Sequence, residues 1–364
     1  MALVPRHIRE LPIYKPGRPI EEVRRELGLD RIIKLTSNEN PYGASAKALE
    51  AVQNTLSENF RYPDATALKL REKLAVRFDL KVENVVVGAG SEGIISSIMR
   101  TFLQHGDEII AADNSFIGFR ILANATSIHT HWIPMKNYHH DLSAMAEKIS
   151  DYTKIIYLAN PDNPTGTYFT VEEFDLFMER VPPKVLVILD EAYFEYAQHL
   201  DDYPDSMHYR YDNVITLRTF SKAHGLAGFR VGYGFAHEDL IENLNKVKLP
   251  FEPSGPAQVA AVAALDDISY IQTTVDRCYE EKKILMEVFQ EMNLEVIPSA
   301  ANFLTLVFES EQEAESFNKA MLHRGVILRH LSSWGLPDCV RITVGTEEEN
   351  EYLIECLSEV LSQA

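Results

Sequence analysis

One lysine in this chain of 364 residues has the surroundings of a reactive amine. Lys222 lies in RTFSKAHGLAGFR at 218–230, directly after an apolar run at 214–217 that predicts a strand. Small hydroxyl residues and glycines surround it. A lysine whose pKa is lowered by nearby cations and partial burial can condense with an aldehyde to form a Schiff base. Taken alone, the segment could also be a glycine-rich surface loop with a solvated lysine.

The same segment could bind an anion. Pyridoxal 5'-phosphate (PLP) is the commonest aldehyde that proteins attach to a lysine, and it carries a phosphate. Thr219 and Ser221 could offer hydroxyls to that phosphate, and Arg230 a guanidinium group. The spacing of these residues therefore favours PLP as the partner of Lys222.

A second segment places a carboxylate at the end of a predicted buried strand. Residues 185–189 are continuously apolar, and Asp190 follows them. Open α/β sheets bind their ligands at this end of their strands. Asp190 could keep the PLP ring nitrogen protonated, and Tyr193 could donate to the phenolic oxygen of the ring. An aspartate that caps the next helix is the alternative.

A third segment joins an apolar strand at 155–159 to the loop NPDNPTG at 160–166. Its proline, asparagine and glycine residues are typical of a fixed turn. Asn163 could then hydrogen-bond both the phenolic oxygen of the cofactor and a substrate carboxylate. As a turn alone, the segment would carry little information.

The order of the three motifs resembles that of fold-type I PLP-dependent aminotransferases. Further motifs resemble the histidinol-phosphate aminotransferase family in particular: SNENPYG at 37–43, RYPD at 61–64 and VRITVGTEEEN at 340–350. The resemblance covers essentially the whole chain, and its motifs occur in the family order.

The resemblance implies a role for each matching residue. Lys222 forms the Schiff base and later moves the substrate proton, while Asp190 pairs with the ring nitrogen. Asn163 and Tyr193 lie at the phenolic oxygen, and Phe116 replaces the tyrosine that usually stacks on the ring. The residues implied at the phosphate are Thr219, Ser221, Arg230, Gly90, Ser91 and Glu92, the last three through backbone amides.

The resemblance also implies a homodimer with shared active sites, because Tyr62 matches a tyrosine that reaches the cofactor phosphate of the neighbouring subunit. Arg341 matches the arginine that binds the substrate carboxylate. Tyr14 lies near the substrate phosphate, and Arg329 could complete a phosphate pocket. The implied reaction transfers an amino group from a small-molecule donor, L-histidinol phosphate, to the 2-oxo acid 2-oxoglutarate. It yields imidazole acetol phosphate and L-glutamate, a step of histidine biosynthesis.

Other functions remain open on the sequence. An aromatic amino acid aminotransferase and a PLP-dependent phosphothreonine decarboxylase would use the same scaffold. A non-catalytic dinucleotide-binding protein is suggested by GAGSEG at 88–93, which follows a predicted strand and precedes an apolar helix. That alternative leaves Lys222, Asp190 and Asn163 without roles, and its glycines would serve a PLP phosphate equally well.

The composition argues against several classes of binding partner. A net charge of −19 argues against nucleic acid or an anionic membrane. The three cysteines lack metal-like spacing and indicate reduced thiols in a cytoplasmic protein, and the histidines show no metal-ligand pattern. No apolar run is long enough to span a bilayer.

The alternation of helical and strand patterns predicts an α/β fold with a mostly parallel sheet covered by helices on both faces. We predict an N-terminal arm and short helix at 1–35, a large PLP-binding domain at 36–255 and a smaller α+β domain at 256–364. One long helical stretch at 257–292 is expected after the proline-rich segment at 250–256. The expected strands of the large domain are 84–88, 107–112, 129–134, 154–159, 185–190, 213–218 and 231–235, and those of the small domain lie near 294–298, 303–308, 326–329 and 339–344.

Overall fold

The structure, a computed structural model, describes residues 3–209 and 211–362. Its helices are α1 Arg6–Arg9, α2 Ile20–Leu27, α3 Ala46–Gln53, α4 Leu68–Arg77, α5 Gly90–Phe102, α6 Ile117–Ala125, α7 Leu142–Glu147, α8 Val171–Met178, α9 Phe194–Ala197, α10 Ser206–Tyr209, α11 Glu238–Val247, α12 Gly255–Leu265, α13 Ile268–Glu291, α14 Glu311–His323 and α15 Glu347–Ser362. Its strands are β1 Ile33–Lys34, β2 Val85–Gly88, β3 Glu108–Ala112, β4 His129–Ile133, β5 Thr153–Ala159, β6 Leu186–Asp190, β7 Val214–Thr219, β8 Gly232–Phe235, β9 Glu295–Ile297, β10 Phe303–Val307, β11 Val326–Ile327, β12 Arg329–His330 and β13 Cys339–Thr343.

The central sheet has seven strands in the order β2-β8-β7-β6-β5-β3-β4. Strand β8 is antiparallel to both of its neighbours, and the other pairs are parallel. Helices cover both faces: Ile155 and Tyr157 of β5 pack with α5 and α6, whereas Ile156 and Leu158 pack with α7 and α8. The predicted α/β class and its seven strands are confirmed.

The three motifs meet because their strands are neighbours in this sheet. Asp190, the last residue of β6, lies opposite Ala159 at the end of β5 and Leu217 near the end of β7. The loops that follow these strands carry Asn163, Tyr193 and Lys222. The carboxyl edge of the sheet therefore gathers all three, as the sequence predicted.

The strand before GAGSEG does not begin a dinucleotide-binding unit. Strand β2 lies at the edge of the sheet and pairs with the antiparallel β8, and β3, the next strand of the chain, lies four strands beyond β8. A dinucleotide-binding βαβ unit places two parallel strands side by side around its helix. The glycines instead allow close packing, because a Cβ on Gly232 of β8 would lie 2.6 Å from the backbone of Gly90.

The C-terminal part contains a four-stranded antiparallel sheet in the order β12-β13-β10-β9. A parallel pair, β1 with β11, joins the N-terminal segment to it. The strands lie near their predicted positions.

The prediction of one helical stretch at 257–292 is wrong, because α12 ends at Leu265 and α13 begins at Ile268. Ala257 and Ala261 of α12 pack in the cluster that includes α3 and α4, whereas Leu285 of α13 packs against β10. Two different cores thus meet at the break. The predicted domain boundary at 255/256 stays a prediction, and the packing of α12 favours one about ten residues later.

Within the described ranges, no helix combines the length and apolar character needed to cross a membrane. In the same ranges, no group of three or more His, Cys, Asp or Glu side chains is arranged to hold a metal ion.

Candidate active site

A cavity of about 380 Å³ opens at the carboxyl edge of the central sheet. The predicted residues that line it are Tyr14, Ser91, Glu92, Phe116, Asn163, Asp190, Tyr193, Thr219, Ser221, Lys222 and Arg230. Its other lining residues are Ser37, Glu39, Tyr157, Ala159, Pro161, Ala192 and Ala227. Four predicted residues lie outside the lining: Gly90, Tyr62, Arg329 and Arg341.

Lys222 carries the amine of the cavity. Its Nζ donates to the backbone oxygen of Ser37 at 3.1 Å and lies 5.5 Å from the centre of the Tyr193 ring. Burial, followed by the positive charges of Arg341 and Arg230, lowers the pKa of Lys222 to about 8. The neutral, nucleophilic form of this amine is therefore far more populated near neutral pH than it is in an ordinary lysine.

The turn after Lys222 is braced by the N-terminal segment. Gly225 has a φ of +69° and packs so closely that a Cβ would lie 1.8 Å from the carbonyl oxygen of Gly43. Asn40 Nδ2 donates to the backbone oxygen of Ala223 at 2.9 Å. SNENPYG at 37–43 was part of the resemblance without an assigned role, and the structure gives it this bracing contact.

Asp190 is a buried carboxylate at the end of β6. Its Oδ2 accepts a hydrogen bond from the Tyr157 hydroxyl at 2.9 Å, while Oδ1 has no partner among the described residues. Burial raises the pKa of Asp190 to about 7. Helix capping does not explain the residue, because α9 begins after Tyr193 and no side chain caps it. An acceptor of this kind suits a protonated ring nitrogen.

Tyr157 was missed from the sequence because it lies inside an apolar strand. Its ring stacks on Phe119 with a centroid distance of 3.9 Å and an interplanar angle of 13°. Tyr157 serves the site by donating to Asp190, and this contact appears only in the tertiary structure. The apolar pattern of the strand gives no signal for it.

Tyr193 is held by the N-terminal segment. Asn38 Nδ2 donates to the Tyr193 hydroxyl at 2.8 Å, and Asn38 itself is fixed by two hydrogen bonds with the Thr343 hydroxyl. Burial raises the pKa of Tyr193 to about 12, so the phenol is protonated at neutral pH. Since its oxygen already accepts from Asn38, its own proton can be donated into the cavity.

Arg341 reaches the cavity through Asn163. Its Nη1 donates to Asn163 Oδ1, and its Nη2 donates to the backbone oxygen of Thr36 at 2.7 Å. Burial lowers the pKa of Arg341 to about 10, which leaves the side chain charged at neutral pH. Arg341 is thus a buried cation beside the loop that carries Asn163.

Hydroxyls and a guanidinium gather at the start of α5. Thr219 Oγ1 donates to Ser221 Oγ at 3.0 Å, and Arg230 Nη1 lies 3.4 Å from the same oxygen. Arg230 Nη2 would lie 2.7 Å from a Cβ on Gly90, so the guanidinium sits at the helix N-terminus. This arrangement suits a phosphate.

The side chain of Glu92 takes part in this site as well, whereas the prediction assigned only its backbone amide to the phosphate. Its carboxylate pairs with Arg230 at 3.1 Å, and both side chains are about half exposed. An ion pair so exposed is weak, so an arriving phosphate can compete for the guanidinium.

A buried polar network supports the cavity wall. Asp162 accepts from the Ser115 hydroxyl at 2.5 Å and lies 3.1 Å from His140 Nε2. Asp162 precedes Asn163, and Ser115 precedes Phe116, so the network ties together the two loops that carry these lining residues.

Two predicted residues lie toward the surface. Tyr62 is 80% exposed and stacks on Phe251, with ring centroids 4.3 Å apart. Tyr14 is 45% exposed and lines the cavity mouth. Arg329, which is buried, donates from Nη2 to the backbone oxygen of Lys15 at 2.9 Å, so it holds the arm that bears Tyr14.

The order of the strands and the lysine-containing cavity at the carboxyl edge of the sheet are those of a PLP-dependent enzyme of fold type I. A profile of the family described as Aminotransferase class I and II matches residues 30–357. The chain belongs to this family.

Individual relatives cover the whole chain. Histidinol-phosphate aminotransferase 2 of Carboxydothermus hydrogenoformans is 42% identical over 361 residues, which cover 99% of each chain. Histidinol-phosphate aminotransferase of a Geobacillus species is 43% identical over 362 residues, covering 98% of this chain and 97% of the relative. The crystal structure of histidinol-phosphate aminotransferase from Sinorhizobium meliloti, in complex with pyridoxal-5'-phosphate, has a TM-score of 0.91 at 25% identity. That match covers 100% of this chain and 98% of the crystallised one.

Proposed function

We propose that the protein is a PLP-dependent aminotransferase that converts L-histidinol phosphate and 2-oxoglutarate to imidazole acetol phosphate and L-glutamate. One observation carries the proposal: an amine with a pKa of about 8 faces the same cavity as a buried aspartate whose Oδ1 accepts no hydrogen bond from any residue the structure describes. The names of the full-length relatives support the substrate.

The residues of the cavity fit PLP. Asp190 Oδ1 would accept from the ring nitrogen, and Phe116 would stack on the ring. Thr219, Ser221 and Arg230 would hold the phosphate. When bound, PLP supplies an aldehyde for amine exchange and a protonated ring that stabilises negative charge at the substrate Cα.

The side chains of the chain supply the proton transfers. Once the amino donor has displaced it, the Lys222 amine can accept the proton from the donor's Cα, because burial keeps its pKa near neutrality. Tyr193 stays protonated and donates a hydrogen bond into the cavity. Asp190 needs a cationic partner to be stable as a carboxylate, because burial alone drives it toward the neutral acid.

Two buried arginines support a substrate with an anionic group. Arg341 and Arg329 lie beside Asn163 and Tyr14, and no carboxylate among the described residues forms an ion pair with either. A guanidinium that has no carboxylate partner can bind the carboxylates of glutamate and the phosphate of histidinol phosphate.

A homodimer with shared sites is part of the proposal. Tyr62 and Phe251 form an exposed aromatic pair, and Leu56 and Phe60, also exposed, lie near it in sequence. An exposed apolar group of this kind suits an interface. The buried free thiols of Cys278, Cys339 and Cys356 suit a reducing, cytoplasmic location.

Borohydride reduction tests the cofactor site. Protein purified with PLP should be yellow, and reduction should fix the cofactor on Lys222, as read by peptide mass spectrometry. Lys282 is the matched control, since it is also partly buried with a lowered pKa but lies outside the cavity lining and donates to the backbone oxygens of Ser299 and Ala301. Label on Lys282 or any other lysine would overturn the assignment.

Single-turnover kinetics test the substrate. Histidinol phosphate, phenylalanine and tyrosine are mixed separately with the PLP form, and the decay of the cofactor absorbance is followed. Histidinol phosphate should have the highest kcat/KM. A preference for phenylalanine or tyrosine would replace the proposed substrate while leaving the PLP chemistry in place.

A further inference from the structure

Two like charges lie side by side next to the cavity. Arg329 of β12 and Arg341 of β13 are directly paired across the small sheet. Their exposed fractions are 9% and 4%, and each Nε lacks a partner among the described residues. Neighbouring like charges are unfavourable, and buried arginines normally pair with carboxylates. A group other than a carboxylate must therefore stabilise these two guanidinium groups.

Aromatic rings take the place of carboxylates around both guanidinium groups. The Arg329 carbon lies 4.7 Å from the centre of the Trp334 ring and 5.7 Å from that of Tyr14. The Arg341 carbon lies 5.7 Å from the Trp334 ring and 5.2 Å from the Phe303 ring. Of these three rings, Trp334 is the one that contacts both arginines.

Trp334 is itself fixed in place. It is 4% exposed and ends a short 3-10 helix, Ser332–Trp334, in the connection between β12 and β13. Asn114 Nδ2 donates to its backbone oxygen at 2.8 Å. Asn114 lies two residues before Phe116, so the contact links Trp334 to a loop of the cavity wall.

We propose that Trp334 is a positioning residue that makes Arg329 and Arg341 available to substrate anions. The negative face of an aromatic ring attracts a guanidinium group without neutralising its charge. A carboxylate in the same position would occupy the hydrogen-bond donors that the substrate needs. The inference rests on the proposed function only in assuming that these arginines bind the carboxylate or phosphate of a substrate.

Fluorescence gives a direct test, because the chain has only two tryptophans. Trp132 is the other one, and it packs on Arg120 at 4.3 Å, outside the cavity lining. In the Trp132→Phe holoenzyme, the tryptophan emission, excited selectively over that of the tyrosines, comes from Trp334 alone. Titration with glutarate, an unreactive dicarboxylate, or with inorganic phosphate should change that emission along a saturable curve. Unchanged emission at saturating glutarate would overturn the proposal.

Substitution of Trp334 gives a second test. Trp334→Leu should weaken glutarate and inorganic phosphate binding by about tenfold, because two cation–π contacts are lost. Trp334→Phe keeps a ring and should weaken binding by a smaller factor. The dissociation constant of PLP should not change in either variant. In kinetics, KM for glutamate should rise more than kcat falls.

Trp132→Phe is the matched control, since it removes an indole that also contacts an arginine and should leave both anion affinities unchanged. Equal anion affinities of the wild type and Trp334→Leu would refute the proposal, as would a parallel loss of PLP affinity. The glutarate titration is independent of the amino donor. A failed preference for histidinol phosphate would therefore contradict the proposed function and leave the result on Trp334 intact.

Discussion

Among single residues, the site depends on two ionisable groups whose pKa values burial shifts toward neutrality. Lys222 has a lowered pKa and Asp190 a raised one, and burial is the largest cause of both. Burying each of these groups destabilises the cofactor-free protein. Each group becomes useful for catalysis once the cofactor supplies its partner. Their cost should therefore be measurable in the cofactor-free enzyme.

Asp190 makes the stability of the cofactor-free protein depend on pH. Its pKa is about 7 in the folded chain and about 3.8 in the unfolded chain, so the folded state binds the extra proton between these values. The stabilisation is complete below pH 3.8 and is lost as pH rises through 7. Relative to Asp190→Asn, the wild type should lose about 2–3 kcal/mol of unfolding free energy between pH 5 and 8.

Urea unfolding of both proteins at the two pH values measures this difference. Tyr157→Phe is the second variant, because it removes the hydrogen bond that lowers the pKa of Asp190. In Tyr157→Phe, the loss of unfolding free energy should therefore occur at a higher pH than in the wild type. Parallel stability profiles for the wild type and Asp190→Asn would contradict the expected protonation.

Asp190→Asn should also separate cofactor binding from catalysis. The variant keeps the phosphate contacts and the Lys222 attachment, so it should retain PLP by absorbance. Turnover should fall by several orders of magnitude, because a neutral amide does not hold the ring nitrogen protonated. Near wild-type turnover would refute the role of Asp190.

At the scale of elements, the Lys222 turn depends on its contact with the segment at 37–43. Gly225→Ala introduces a Cβ against the carbonyl of Gly43 and should destabilise the protein by several kcal/mol. Gly28→Ala is the matched control: its φ of +65° is similar, but nothing lies within 4 Å of the new Cβ. It should cost about 1 kcal/mol from backbone strain alone. Equal midpoints in urea would show that the contact does not stabilise the turn.

The elements themselves could be predicted where burial leaves a periodic pattern. Strands β5, β6 and β7 are buried on both faces, and their apolar runs predict the strands that end at Asp190 or lead into the loops of Asn163 and Lys222. The break between α12 and α13 could not be predicted. Leu265-Asp266-Asp267-Ile268 contains neither proline nor glycine, and the helix ends because its two halves pack in different cores.

Much of the site's supporting structure was likewise beyond the sequence. Tyr157, Asn38 and Trp334 act through neighbours that are distant in the chain, at Asp190, Tyr193 and the paired arginines. The sequence identifies groups that carry chemistry by their type. The residues that hold those groups differ little in type from ordinary core residues.

At the scale of the whole molecule, the net charge of −19 opposes the binding of anions. The cofactor phosphate and the substrate anions therefore rely on locally buried cations and on the N-terminus of α5. In the proposed homodimer, Tyr62 of each subunit would add to the phosphate end of the neighbouring site. That arrangement explains why a residue of the predicted site is 80% exposed in a single chain.

Mixing two inactive or weakened proteins tests the shared site. A Tyr62→Phe subunit keeps Lys222, and a Lys222→Ala subunit keeps Tyr62, so each heterodimer has one intact site and one that carries both substitutions. After unfolding and refolding an equal mixture, about half of the dimers are heterodimers, and about a quarter of all sites should be intact. The activity of the mixture should therefore be about a quarter of the wild-type activity, plus the contribution of the Tyr62→Phe homodimers. That contribution is measured on the unmixed Tyr62→Phe protein. Activity equal to the average of the two parents, or full activity in a monomer at assay concentration, would exclude the exchange of Tyr62 between subunits.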